Sequence, residues 1–343
     1  MTAAALPTLG TPRLTLRPLE MTDADAIVDG VGNYDVSKWL SVVPYPYTRA
    51  DADWFLERTI DSQAPVWAIC DAGGLQGLIG LDPELGYWLA RSAWRKGYGF
   101  EAAHGVIANW FADPTAGDLT SGHFEGNARS GAVLRALGFQ TTGHATRDAC
   151  ALSQKVTATE MVLTRARWAE RQEFNLYTPR LTLRPLGPSD AENMVNLAVP
   201  EVARNTGSFI VGWSKAEAQS YIESRLWRGL PGFMLAVELQ GEFAGVIGCG
   251  GAPPSAMYAF HRDHWGHGIA TEAMSAFLPE LFERFPINRL VADHFEDNPA
   301  SRRVLYKLGF AETGRCTGTS KARLEPAPLI TYAVTREMLK VAS

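Results

Sequence analysis

Apolar and polar positions alternate from Leu14 to Leu19, which predicts a strand with one face buried. Thr22-Asp-Ala-Asp follows, a hydroxyl succeeded by acids, and reads as a helix start. A second helix is expected to begin at Thr48. Short apolar runs at Val66–Cys70, Leu78–Leu81 and Leu85–Ala90 predict three strands. The last leads into a glycine-bearing turn and a long helix reaching about Phe111. A strand at Leu119–Phe124 and a helix ended by Gly138 come next, and two more strands close the segment.

The same series then runs again. Ser189-Asp-Ala-Glu starts a helix, and Ser214 starts the next, with Glu217 at capping-box spacing. Strands are expected at Phe233–Leu239, Ala244–Gly248, Ala256–His261 and Leu290–Phe295. One helix runs to about Phe282 and another stops at Gly309. Thr-Pro-Arg-Leu-Thr-Leu-Arg-Pro-Leu stands at 11–19 and unchanged at 178–186. Residues 84–139 align without a gap on 255–310, at an offset of 171, with 18 of 56 positions identical. The period is too long for a solenoid. It marks a duplicated domain, 1–170 and 171–343, joined by the polar, helical stretch at 165–177. Strands and helices alternate around a mixed sheet, so the class is α+β (α/β mixed).

The 343 residues suit two such domains, and 46% apolar residues can fill two cores. A net charge of −5 lacks the basic excess of a duplex-binding protein, so no nucleic-acid partner is expected. No apolar run approaches about 18 residues, and no basic-then-apolar leader opens the chain, so neither membrane span nor signal peptide is expected. Cys70, Cys150, Cys249 and Cys316 lie far apart, the usage of a reduced, cytoplasmic protein.

The chemistry concentrates at Trp94-Arg-Lys-Gly-Tyr-Gly-Phe-Glu-Ala and Trp265-Gly-His-Gly-Ile-Ala-Thr-Glu-Ala. Each joins a strand to a long helix. Glycine lets consecutive N–H groups aim at one point, and the helix start adds the positive end of its dipole. The result suits a phosphate or pyrophosphate. A tight turn without ligand is the competing reading, and G-x-G alone does not decide between them. A dinucleotide fold would need a third glycine where Ala102 and Ala273 stand. His261, His264 and His267 have a metal-like spacing, but they cross from strand to loop and lack counterparts in the first copy, so no metal is expected.

In context the pattern resembles the GNAT N-acetyltransferase superfamily, and within it the RimJ/RimL-like branch, whose signature is W-G-K-G-[YI]-[AG]-T-E-A. Trp94 and Trp265 stand where most of the superfamily has Gln or Arg. Pro44-Tyr-Pro-Tyr-Thr, Glu84-Leu-Gly-Tyr-Trp-Leu and the two N-x-x-S-x-x-V-L-x-x-L-G-F runs fit the same branch. The resemblance covers nearly the whole chain, twice. It implies two tandem acyl-CoA N-acyltransferase folds, each a mixed, splayed sheet flanked by helices. It implies acetyl-CoA in the cleft between the strands at 85–90 and 119–124, or 256–261 and 290–295. A backbone N–H around Tyr87–Leu89 or Tyr258–Phe260 would polarise the thioester.

The cofactor-binding residues this implies are Arg95, Lys96, Gly97, Tyr98, Gly99 and Asn127 in the first copy. In the second they are Gly266, His267, Gly268, Ile269, Ala270 and Asn298. Tyr306 matches the family tyrosine that protonates the CoA sulfur; the competing reading is a ring packed on the sheet, and the first copy has Arg135 there. Ser130 and Ser301 are the alternative acids, against ordinary early-helix serines. Glu84 is the candidate base, with Ser255 opposite it in the second copy. His123 and His294 could accept a proton, though strand polarity also accounts for them. Glu101 and Glu272 read as acids complementing the helix dipole. Trp39, Tyr45, Tyr47 and Trp213 line an acceptor wall or pack as core. The expected activity is acetyl transfer to a primary amine, a protein N-terminus or a small molecule, by direct attack. The rival is a silent CoA-binding or scaffolding half. The fusion stands as a monomeric pseudo-dimer or a homodimer.

Overall fold

The computed structural model describes residues 6–81 and 84–340. Its contacts divide the chain into two compact units, Met1–Arg171 and Gln172–Ser343. In the first, strands β1 (Leu9–Gly10), β2 (Thr15–Pro18), β3 (Val66–Asp71), β4 (Gly74–Leu81), β5 (Leu85–Leu89), β6 (Leu119–Phe124), β7 (Gln140–Ala149) and β8 (Gln154–Leu163) form one sheet, ordered β1-β2-β3-β4-β5-β6-β8-β7. In the second, β9 (Leu176–Tyr177), β10 (Leu181–Pro185), β11 (Phe233–Leu239), β12 (Glu242–Gly250), β13 (Ser255–Phe260), β14 (Leu290–Phe295), β15 (Ala311–Gly318) and β16 (Ala327–Val334) repeat that order. All neighbours are antiparallel except β5 with β6 and β13 with β14.

Alternation along β5 shows how each sheet is covered. Trp88 packs with the layer made by α1 (Ala24–Val31) and α3 (Arg49–Asp61), where Leu19, Ile27, Val31, Leu56 and Leu78 are buried. Its neighbour Tyr87 points to the other face, against α4 (Tyr98–Ala112) and α5 (Ala128–Leu137). The second unit is layered alike. Met257 and Ala259 pack with α7 (Ala191–Leu197) and α9 (Lys215–Glu223), while Tyr258 faces α11 (Pro299–Lys307), which lies beside α10 (Ile269–Arg284). Helices as short as α1 and α7 would be marginal alone, so this packing holds them.

Two features depart from the sequence expectations. Short helices α2 (Tyr34–Ser37) and α8 (Pro200–Ala203) were not foreseen. The Thr22 and Ser189 hydroxyls do not cap the first helices. A 3-10 turn precedes each helix, and Asp23 and Asp190 accept from the backbone N–H groups of Glu20 and Gly187 at 2.9 Å. Each aspartate is also gripped by the second arginine of the repeated nonapeptide, Arg17 or Arg184.

Candidate active sites

β5 and β6 meet at one register point, Leu85 opposite Ser121, where the Ser121 hydroxyl donates to the Leu85 carbonyl at 2.7 Å. Beyond it the strands part, and no described strand lies along that edge of β5. β13 and β14 touch only at Ser255 and Val291. An open backbone edge of this kind can take an extended ligand as an added strand.

The glycine turns close the far end of each cleft. Gly97 and Gly268 precede α4 and α10 with φ of 80° and 78°, left-handed geometry that suits glycine. Two residues earlier, Gly266 has φ 79°, whereas Arg95 holds φ 63° with a side chain attached. The indole N–H of Trp94 donates to the Leu89 carbonyl at 2.9 Å, and that of Trp265 to the Phe260 carbonyl at 2.9 Å. Each tryptophan therefore ties its turn to the last residue of the splayed strand. Arg129 stacks on Trp94, 4.0 Å from the ring centroid.

The repeated nonapeptide holds these turns. Glu101, buried in the first turn of α4, accepts from the Thr11 hydroxyl (2.7 Å), the Arg13 backbone N–H (2.8 Å) and the Arg13 guanidinium (2.6 and 2.5 Å). Arg13 also donates to the Lys96 carbonyl in the turn at 2.8 Å. In the second unit Thr178 and Arg180 grip Glu272 at 2.5 to 3.1 Å, and Arg180 donates to the His267 carbonyl at 3.2 Å. Burial works to raise the Glu272 carboxyl. The Thr178 and Arg180 hydrogen bonds outweigh it and hold the group below the usual carboxylate range. These glutamates are more than complements to a dipole: each locks the connection between the first two strands to a glycine turn. Arg13 and Arg180 escaped the sequence reading, although the verbatim nonapeptide was their signal.

Tyr87 and Ser130 meet across the first cleft, hydroxyl to hydroxyl, at 3.3 Å; Tyr258 and Ser301 meet at 2.6 Å. Asn127 and Asn298 cap α5 and α11 by accepting from the backbone N–H groups of Ser130 and Ser301, at 3.3 and 3.2 Å. Burial pushes both tyrosine hydroxyls up to about 12, so they stay protonated donors through the neutral range. Gly99 lets α4 approach, since a Cβ there would lie 3.2 Å from the Tyr87 ring; Ala270 takes its place in the second unit.

Other candidates stand apart from this group. Tyr306 is 42% exposed; its ring meets Tyr332 edge-on, and its hydroxyl accepts from Arg302 at 3.5 Å. Glu84 is held bidentate by Arg147 at 2.9 Å, and Arg147 also reaches Glu160 at 3.4 Å. His294 is buried: its Nδ1–H donates to the Phe295 carbonyl, and its Nε2 accepts from the Tyr332 hydroxyl at 3.1 Å. His123 makes the same carbonyl contact, but Met161 stands where Tyr332 would be, and its buried Nε2 finds no partner. Arg95, Lys96, Gly266 and His267 are exposed, Ile269 is buried, and the Tyr98 hydroxyl donates to Asp71 at 3.0 Å. Tyr98 and Ile269 can therefore serve the turn through their backbone N–H groups. Trp213 lies in the second core with Phe209 and Tyr221, while Tyr45 is exposed and meets Tyr34 edge-on. Trp39 packs toward Phe124, and Tyr47 against the α1–α3 layer. No group of three His, Cys, Asp or Glu side chains among the described residues could hold a metal. None of the described helices is long and apolar enough to cross a membrane.

Residues 13–140 and again 180–311 match the family described as an acetyltransferase (GNAT) domain. The chain belongs to the GNAT acetyltransferases. It is an N-acetyltransferase with two GNAT domains in tandem. Among curated proteins it is 28% identical to the uncharacterized N-acetyltransferase p20 of Bacillus licheniformis over 149 residues, covering 40% of this chain and 84% of that one. It is 37% identical to the uncharacterized N-acetyltransferase YoaA of Bacillus subtilis over 57 residues, 17% of this chain and 32% of that one. Among solved structures, a GNAT acetyltransferase from Bacillus anthracis aligns with TM-score 0.42 and 18% identity, over 46% of this chain and 98% of that one. Mycobacterium smegmatis RimJ in complex with CoA-disulfide aligns with TM-score 0.40 and 22% identity, over 48% and 87%.

Proposed function

We propose that this GNAT protein transfers acetyl from acetyl-CoA to a primary amine, a protein N-terminus or a small molecule, by direct attack on the thioester. Residues 1–170 and 171–343 are the working domains. The observation that carries the reading is the alignment, in each unit, of an open strand edge, a glycine turn at its far end and a Tyr–Ser pair between them. The pantetheine amides pair with the free edge of β5 or β13. The pyrophosphate sits at the turn, with Arg95, Lys96, Gly97, Tyr98 and Gly99, or Gly266, His267, Gly268, Ile269 and Ala270; Asn127 and Asn298 lie nearer the thioester end. Ser130 or Ser301, backed by Tyr87 or Tyr258, donates to the departing sulfur. Tyr306 stands outside that pair, with its hydroxyl on Arg302 and its ring on Tyr332. Glu84 could meet an amine as a base only after leaving Arg147, whose guanidinium occupies both of its oxygens.

Calorimetric titration with acetyl-CoA tests the reading through its stoichiometry. Two sites per chain, each abolished separately by G97W or G268W, is the expected result. No binding would overturn transfer from acetyl-CoA. One site would leave the other unit as the silent module that the unequal side-chain sets allow.

A further inference from the structure

The two clefts differ most at one position on the strand beyond the split. In β6 it is Gly122, which pairs with Glu160 on β8. A Cβ there would lie 3.5 Å from Nη2 of Arg147, so the guanidinium bound to Glu84 and Glu160 covers this spot. In β14 the aligned residue is Asp293, pairing with Thr331 on β16. The other three positions have also changed: Ser255 replaces Glu84, Gly318 replaces Arg147, and Thr331 replaces Glu160. Two carboxylates and a guanidinium have given way to one carboxylate, and both sets carry a formal charge of −1.

Asp293 lies two residues past the last β13–β14 pair, abreast of Met257. Alternation puts it on the face of Met257 and Phe295, away from His294, and so on the α7–α9 side of the sheet. Tyr258 and Ser301 occupy the opposite side. The side chain opens to solvent at the cleft, yet none of the described hydrogen bonds or ion pairs uses it. Its neighbours across the strands are neutral: Met257 stands abreast on β13, and Thr331 pairs with it from β16. Arg323, stacked on Phe295, is engaged by Asp297 at 2.7 and 3.0 Å. His294, next in the chain, turns to Tyr332.

We propose that Asp293 is the catalytic base of the second unit, receiving the proton of the attacking amine from the face opposite the Tyr258–Ser301 pair. The proposal rests on the acetyl-transfer reading above. The amine nitrogen bonds to the thioester carbonyl carbon, and its proton becomes acidic as the nitrogen gains positive charge. Asp293 takes that proton as the C–S bond breaks. The sulfur leaves with the electron pair as a thiolate held by the Ser301 hydroxyl, then takes a proton from solvent while Asp293 returns one. Crowding by protein raises the Asp293 carboxyl above its ordinary range, with His294 opposing weakly, and a raised carboxyl is a better proton acceptor.

The test uses the full chain carrying G97W, so that the second unit acts alone, with glycinamide as the amine and thiol release as the readout. D293N is expected to lower kcat about 100-fold or more, with acetyl-CoA affinity unchanged. It should also abolish the acid limb of the pH–rate profile, and D293E should restore part of the rate. Removing a strained charge should leave thermal stability at pH 7 equal or higher, whereas a structural aspartate would lower it. An unchanged kcat, or a fall matched by lost stability, overturns the proposal. Loss of acetyl-CoA binding in the G97W parent would instead overturn the transfer reading. Should glycinamide not react, a ¹³C carboxyl difference titration of the CoA complex against D293N decides: a carboxyl titrating at or below the ordinary aspartate value overturns Asp293 as base, and a raised one supports it.

Discussion

Replacing Glu101 by glutamine tests whether the β1–β2 connection governs the glycine turn before α4. The carboxylate is buried and takes four donated hydrogen bonds, two from the Arg13 guanidinium. Glutamine can still accept from Thr11 and from the Arg13 backbone, but its amide has no charge to hold the guanidinium. A charge-assisted hydrogen bond contributes about 1.5–3 kcal/mol. Two would suggest more, but Arg13 is 43% exposed and water compensates part of the loss, so about 2 kcal/mol is the expected cost. At roughly 2–4 °C per kcal/mol for a unit of this size, its transition should fall by about 4–8 °C in scanning calorimetry. Freed from Glu101, Arg13 also loses its fixed hold on the Lys96 carbonyl. CoA affinity in the first unit should therefore drop by about tenfold, equivalent to about 1.4 kcal/mol. Glu272→Gln should act in parallel on the second unit. A transition moved by less than about 1 °C, with CoA binding intact, would refute the clamp.

Two further perturbations address separate features. Burial pushes His104 down to about 4 from 6.5, so the unfolded chain binds its proton first as pH falls. Stability should decline between pH 6.5 and 4, by about 3 kcal/mol at roughly 1.4 kcal/mol per pH unit, and His104→Leu should flatten that slope in urea titrations at pH 4.5 and 7.5. Arg95→Gly should relieve a left-handed side chain, leaving stability level or up to about 1 kcal/mol higher, while weakening CoA binding in the first unit through the lost cation. A clear loss of stability in that variant would contradict the strain argument.

The repeat, the glycine turns and most strands were legible because they rest on local pattern: alternation, spacing, a glycine where φ turns positive. Residues acting across long separations were not. Glu101 and Arg13 are 88 positions apart, and position alone suggested only a helix dipole. In sequence Trp94 is a departure from a motif; in the fold its indole N–H ties the turn to the Leu89 carbonyl. Glu84 appeared free because its partner Arg147 lies 63 residues on, in a strand of exposed polar residues. Asp293 carries no signal in the repeat, because the first copy has Gly122 there. The short helix α2 has one turn and no room for a periodic signal.

The clamp also makes each turn part of a thermodynamic linkage. The N–H groups of Arg13 and Arg180 are bonded to Glu101 and Glu272 in the helices that begin at the turns. Any anion that orders a turn therefore also steadies those helices and the β1–β2 or β9–β10 connection bonded to them. Ligand bound at Gly97 or Gly268 would slow amide hydrogen exchange at Arg13 or Arg180, in the turn between the first two strands of each half. The repeated nonapeptide thus reports occupancy of a cleft that lies more than eighty residues away along the chain.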